Sequence, residues 1–250
     1  MSVLLLRLSG PMQAWGDSSR FVMRTTRREP TKSGVVGLLA AALGRSREES
    51  IEDIASLEFG VRADQPGQLL SDFQTERSLD GKKTMPLSTR YYLADAKFLV
   101  ALQGNPEHLC EIADALDSPV WPLFLGRRSC PPDSPIKIGV FDEFEDVRVA
   151  LKKHPWIASS RYQRAHVGDA LEVSVDARDG EPCVSQSDFP LSYSGTGRRY
   201  ANRPVYRFSV DAASLSNRTV EDESQSGNRV SRSSVTSGDL FDEHDPMGFF

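Results

Sequence analysis

Proton transfer near neutral pH calls for histidine or a perturbed lysine, and the chain offers few of either in useful combinations. Its histidines are His108, His154, His166 and His244. Lys153 and His154 form the one adjacent Lys–His pair, and His166 follows the basic stretch around Arg161 and Arg164. Together these three could serve as general acid and base for cleaving RNA without a metal. A solvated polar loop is the simpler account of the same residues. His108 sits on an expected surface helix, and His244 lies near the end of the sequence. Cys110, Cys130 and Cys183 have no ligand spacing, and Asp142, Glu143, Glu145 and Asp146 follow no calcium-loop pattern. No Gly-x-Ser-x-Gly or Walker motif is present, so no metal and no cofactor are expected.

Phosphate contact is the better supported chemistry. Gly126-Arg127-Arg128-Ser129 places two guanidiniums and a hydroxyl beside a strand end, a set suited to phosphate oxygens. Arg20, Arg24, Arg27, Arg28 and Lys32 lie within thirteen residues against a single acid, Glu29. Arg198, Arg199, Arg203 and Arg207 lie within ten residues that hold no acid. The net charge of −5 conceals this. Residues 211–250 carry eight acids and three bases, which accounts for the whole −5 and leaves residues 1–210 neutral, with 27 charges of each sign. A polyanion responds to local patches rather than to the average.

The elements that must position these groups can be read from periodicity. Val3 to Leu8 is apolar on nearly both faces, as a central strand would be. Thr31 or Ser33 can cap a helix that runs to Gly44 and is apolar all round. Phe59, Val61 and Ala63 alternate with polar residues as a half-buried strand. Residues 66–90 are polar, with a turn at Asp80-Gly81, and read as a protruding hairpin carrying Arg77, Lys82, Lys83 and Arg90. Tyr91 to Leu102 reads as one returning strand. Asn105 and Pro106 open a helix whose Leu109, Ile112, Ala113 and Leu116 share a face. Trp121 to Leu125 reads as a further strand. Strand, helix, strand, strand, helix, strand is the ferredoxin-like order, also used by RNA-recognition modules, although their aromatic signature is absent. The expected class is α+β: a ferredoxin-like domain over residues 1–140, with an inserted hairpin at about 66–97. A smaller β-rich part over 141–211 follows, including strands at Leu171–Val175 and Val205–Val210. Residues 212–250 form an acidic, low-complexity tail. Its end, DLFDEHDPMGFF, interleaves acids with bulky apolar groups and reads as a docking peptide or a frayed terminus.

The longest apolar run, Gly34 to Leu43, is far short of the roughly 20 residues a membrane helix needs. No secretory signal opens the chain, and three widely spaced cysteines make no disulfide framework. A cytoplasmic protein without membrane contact is expected.

GPMQAWG at Gly10–Gly16, PTKSG at Pro30–Gly34 with the VVGLLAAALG that follows, STRYYLADAKFLVAL at Ser88–Leu102 and LGRRSCP at Leu125–Pro131 occur in register. Over residues 3 to about 140 the chain resembles the CasD family, the RAMP-type subunit of the type I-E CRISPR Cascade complex. The resemblance implies a non-catalytic RNA-binding subunit that caps and hooks the 5′ handle of the CRISPR RNA. It implies contacts with the adjacent backbone subunit and the large subunit, a thumb-like hairpin over the guide, and indirect contact with target DNA in antiviral defence. A related subunit in type I-C systems is the processing nuclease, which keeps the enzyme alternative open. In this light Arg24, Arg28 and Lys32 would meet phosphates beside helix N–H groups at Ser33 and Gly34. Gln13 would read a base edge. Met12 or Trp15 would offer an apolar contact, unless Trp15 is a core plug. Arg127 and Arg128 would fork to phosphates, unless one braces the fold. Arg90 would hold the guide beside the handle, and Lys82 and Lys83 would touch the guide–target duplex or form a solvated turn.

Overall fold

A computed structural model describes residues 1–16 and 22–215. The elements in chain order are β1 (Ser2–Ser9), β2 (Met12–Gln13), β3 (Met23–Arg24), α1 (Lys32–Ala42), α2 (Glu52–Ala55), β4 (Glu58–Gln65), β5 (Gln68–Gln74), β6 (Ser88–Ala94), β7 (Lys97–Gly104), α3 (Pro106–Asp117), β8 (Lys137–Phe141), α4 (Val147–Lys153), α5 (Ser160–Ala165), β9 (Ala170–Asp176), β10 (Val184–Ser192) and β11 (Arg199–Asp211).

β1 is a central strand, as its apolar run requires. It pairs antiparallel with β7 on one side and β8 on the other. The main sheet has the order β10-β11-β9-β4-β7-β1-β8. Within it, β8-β1-β7-β4 is the 4-1-3-2 order of a ferredoxin-like core. Leu4, Leu6 and Leu8 point to one face, under α1, α2 and α3, and Val3 and Leu5 to the other, under α4 and Trp156. Each of these fully buried side chains contributes roughly 1.5–3 kcal/mol. α1 starts where expected, with Thr31 Oγ1 accepting from the Gly34 N–H, and α3 starts at Asn105 with Pro106 behind it.

Three expectations differ. β4 is buried on both faces, because α4 covers the side meant for solvent. Arg62 is consequently sequestered and pairs with Asp64, two residues along the same face. The Tyr91–Leu102 strand is split at Asp95, which adopts a left-handed φ of 54°. Trp121–Leu125 forms no strand, and the fourth core strand is β8. Pro122 lies inside that stretch and cannot donate to a ladder.

The strands after residue 140 join the same sheet, since β9 pairs with β4. The hairpin of β5 and β6 belongs to a second, small sheet in which β6 also pairs with β2 and β3. It leaves the core between Gly67 and Asp95. Gly67 holds a φ of +71°, and a Cβ there would meet the Ala94 carbonyl at 2.3 Å, so only glycine fits. Asp80-Gly81 forms the tip as read from sequence, with Asp80 accepting from the Lys82 N–H. The described chain ends packed rather than loose: Ala212 and Leu215 are buried in the second core cluster. The docking-peptide stretch and most of the expected tail lie outside the described residues.

Candidate nucleic-acid interface

Register decides which hairpin side chains share a face. Arg24 on β3 pairs with Arg90 on β6, and Arg90 pairs with Asp72 on β5. Leu70, Tyr92, Met12 and Ala94 fall on that same face by the two-residue period. The loop after Leu125 closes over it. Arg127 lies above the Tyr92 ring, with its guanidinium carbon 4.7 Å from the centroid, and its Nη2 donates to the Arg24 carbonyl at 2.8 Å. Gly126 makes this closure possible. Its φ is +87°, and a Cβ there would stand 1.7 Å from the Ala14 carbonyl oxygen. Arg90 is half-buried and bonds Glu76 at 2.7 Å. Arg24, Arg28, Arg128 and Ser129 are exposed, and among the described residues no carboxylate pairs with these three arginines. Three segments distant in sequence thus bring Arg24, Arg90 and Arg127 onto one surface.

Several residues expected there turn inward instead. Gln13 is fully buried; its Nε2 donates to the Leu8 and Ala96 carbonyls at 3.0 and 2.8 Å, and its Oε1 accepts from Trp15 Nε1 at 3.0 Å. No polar atom of the amide is left for a base edge. Trp15 is the core plug, its ring pressed against Gly34 of α1 and its backbone tied to Thr26 and Arg27. It therefore anchors the arginine-bearing loop rather than stacking on a ligand. Arg27 is half-exposed and contributes its backbone to that tie.

The start of α1 is also occupied from within. The Lys32 N–H donates to Asp188 Oδ2 at 2.9 Å, and Ser33 is buried. Lys32 Nζ pairs with Asp176 at 3.1 Å, and Arg203 bridges Asp176 and Asp188 at 2.6 and 2.9 Å. Burial holds the Lys32 ammonium below its ordinary pKa despite Asp176. Burial also acts against Arg203, but the hydrogen bonds and charges of Asp188 and Asp176 outweigh it and raise its pKa. Arg207 pairs with Glu29, which also accepts from Ser174 Oγ. Of the second arginine cluster, Arg207 thus clasps the loop before α1 to the distal strands, and Arg203 joins β9 to β10 through the carboxylates that hold Lys32. Arg20 lies outside the described residues.

Arg77, Lys82 and Lys83 are exposed at the hairpin tip. The acid–base set does not assemble as a site. His154 ends α4, lies edge-on to Phe141, and its Nδ1 donates to the Pro155 carbonyl. Burial lowers its pKa. His166 is stacked on Tyr162 and bonded to Asp169, and Lys153 is exposed at the end of α4. Among the described residues no cluster of three or more metal-ligating side chains occurs, and no helix is long and apolar enough to cross a membrane.

Sequence reading missed Tyr92 as the platform for Arg127, although STRYYLA in a returning strand signals an aromatic on each face. It also missed Asp176 and Asp188, whose partners are more than 140 residues away for Lys32.

A ferredoxin-like core with an arginine-faced hairpin inserted between its second and third strands defines a RAMP-type protein. The family described as CRISPR-associated protein (Cas_Cas5) matches residues 3–206, and the chain belongs to that family. The CRISPR system Cascade subunit CasD of Escherichia coli (strain K12) is 35% identical over 205 residues, which cover 74% of this chain and 90% of the relative. A solved structure described as a crystal structure of Cas protein superposes with a TM-score of 0.66 at 35% identity, covering 86% of this chain and 97% of the other. A chain from a CRISPR RNA-guided surveillance complex superposes with a TM-score of 0.70 at 34% identity, covering 86% and 92%.

Proposed function

We propose that the chain is a non-catalytic RNA-binding subunit of a CRISPR Cascade surveillance complex, holding the 5′ handle of the CRISPR RNA on the arginine face of the hairpin. The observation that carries this reading is the convergence of Arg24, Arg90 and Arg127 on one surface around Tyr92. Phosphates of an unpaired strand would meet the guanidiniums, and a base would meet Leu70 or Met12 on the same face. Arg28, Arg128 and Ser129 extend the phosphate track. Arg77, Lys82 and Lys83 would meet the guide–target duplex through its backbone, an indirect contact with target DNA. The likeness to CasD supports a place beside the backbone and large subunits in the cytoplasm. We divide the chain functionally into the core with its thumb at 66–97, the strand-rich part over 141–211, and the acidic tail beyond.

Arg24→Ala with Arg28→Ala is expected to weaken handle-RNA binding more than tenfold at moderate salt, with the loss shrinking as salt rises. Repeat RNA incubated with the purified chain in chelator is expected to stay intact. Cleavage that disappears on His154→Ala would replace this reading with the endoribonuclease.

A further inference from the structure

The hairpin has a second face, and it is apolar. Leu69, Phe73 and Met23 fall opposite the arginine face by register, together with Tyr91. Their exposures of 46%, 63% and 50% are high for large apolar side chains on one face. At the tip beyond them stand Arg77, Lys82 and Lys83. Of the tip's two acids, Glu76 is held by Arg90 and Asp80 by the turn itself.

The sequence supplies a matching segment. Asp239–Phe250 carries Asp239, Asp242, Glu243 and Asp245 among Leu240, Phe241, Met247, Phe249 and Phe250. It lies beyond the family match, which ends at residue 206. The topology delivers it to the right place. β11 ends at Asp211 opposite Ala170 of β9, and β9 pairs antiparallel with β4 with Val173 opposite Arg62, so the start of β9 and the end of β11 lie toward the end of β4 from which the hairpin departs. The chain therefore leaves the sheet at the hairpin end, two strands away, or roughly 10 Å. An extended chain covers about 3.3 Å per residue, so the 23 residues between Leu215 and Asp239 are more than enough chain to reach along the hairpin strands.

We propose that Asp239–Phe250 docks on the apolar face of this chain's own hairpin, its aromatic side chains on Leu69, Phe73 and Met23 and its carboxylates toward Lys82 and Lys83. The docking stands on its own. Its use rests on the RNA-binding reading: it shields the apolar face of the unassembled subunit while leaving the arginine face open.

A carbodiimide condenses a carboxylate with a lysine amine, losing water, when the two are in contact. Treated as a dilute full-length monomer and mapped by mass spectrometry, the chain is expected to join Asp242, Glu243 or Asp245 to Lys82 or Lys83 within one molecule. Phe241→Ser/Phe249→Ser/Phe250→Ser should lower that yield at least tenfold, and Leu69→Ser/Phe73→Ser, at exposed positions, should do the same. Hydrogen exchange of the β5 and β6 amides should quicken in the tail variant. Links only between chains would assign the face to a second copy. Links spread equally over Lys97, Lys152 and Lys153, a yield insensitive to the aromatic substitutions, or no links would each overturn the proposal. Handle-RNA affinity measured alongside separates this outcome from failure of the RNA reading.

Discussion

Arg127 lies over the ring of Tyr92 while its guanidinium donates to the Arg24 carbonyl, so one side chain fixes the β3 loop to the hairpin. The arginine face is therefore built before any ligand arrives, and preorganised cations lose less on binding.

Arg127→Lys is expected to behave like Arg127→Ala rather than like the parent. An ammonium lacks the planar fork and stacks less well on tyrosine. Both variants should lose about 1–2 kcal/mol in urea denaturation and bind handle RNA more weakly. Retained affinity in the lysine variant would remove the stacked fork from the account.

Gln13→Ala tests whether that residue reads RNA or holds the core. It removes the acceptor of the Trp15 indole N–H and a donor to the Leu8 and Ala96 carbonyls, and should cost about 1–3 kcal/mol of stability. Handle-RNA sequence preference should not change below the new melting transition. A changed preference with unchanged stability would restore the base-edge role.

Arg203→Met should be far more damaging than an ordinary surface change. It leaves Asp188 buried with its partner gone, a loss of about 3–5 kcal/mol. Calorimetry on Arg203→Met and on Arg203→Met/Asp188→Asn separates the cases, because removing both charges while keeping an acceptor for the Lys32 N–H should recover much of the loss.

His154 gives a pH signature. Burial disfavours its protonated form in the folded chain, so the unfolded chain binds more protons as pH falls below about 6.5. Its contribution to stability is complete above that value and is lost as pH drops toward the lowered folded pKa. Denaturant titrations between pH 5 and 7.5 should show a slope that His154→Gln reduces. An identical slope would mean the ring is solvated.

The core was legible because its signals are local. Apolar runs, Thr31 and Asn105 as caps, and the Asp80-Gly81 tip each act over a few residues. The strand break at Asp95 was not, because a non-glycine residue in the left-handed region gives no signal of its own. Lys32 was read as a phosphate contact and Arg203 as part of a basic cluster, since nothing nearby in sequence opposes them; Asp176 and Asp188 reach them only through strand pairing. Arg62 carried a usable clue in Asp64, two residues on along one strand face. For the interface, Arg24, Arg90 and Arg127 were each visible as cations, but that they meet follows from the β3–β6 register and the Gly126 turn, which are tertiary facts.

The central claim is that this one arginine face grips a single-stranded RNA end. Its direct test is the salt dependence of handle-RNA affinity for the parent and for Arg24→Ala/Arg90→Ala. Two lost phosphate contacts on a single strand should lower the slope of log K against log salt by about 1.4. A double variant with the parent slope would place the RNA elsewhere on the molecule.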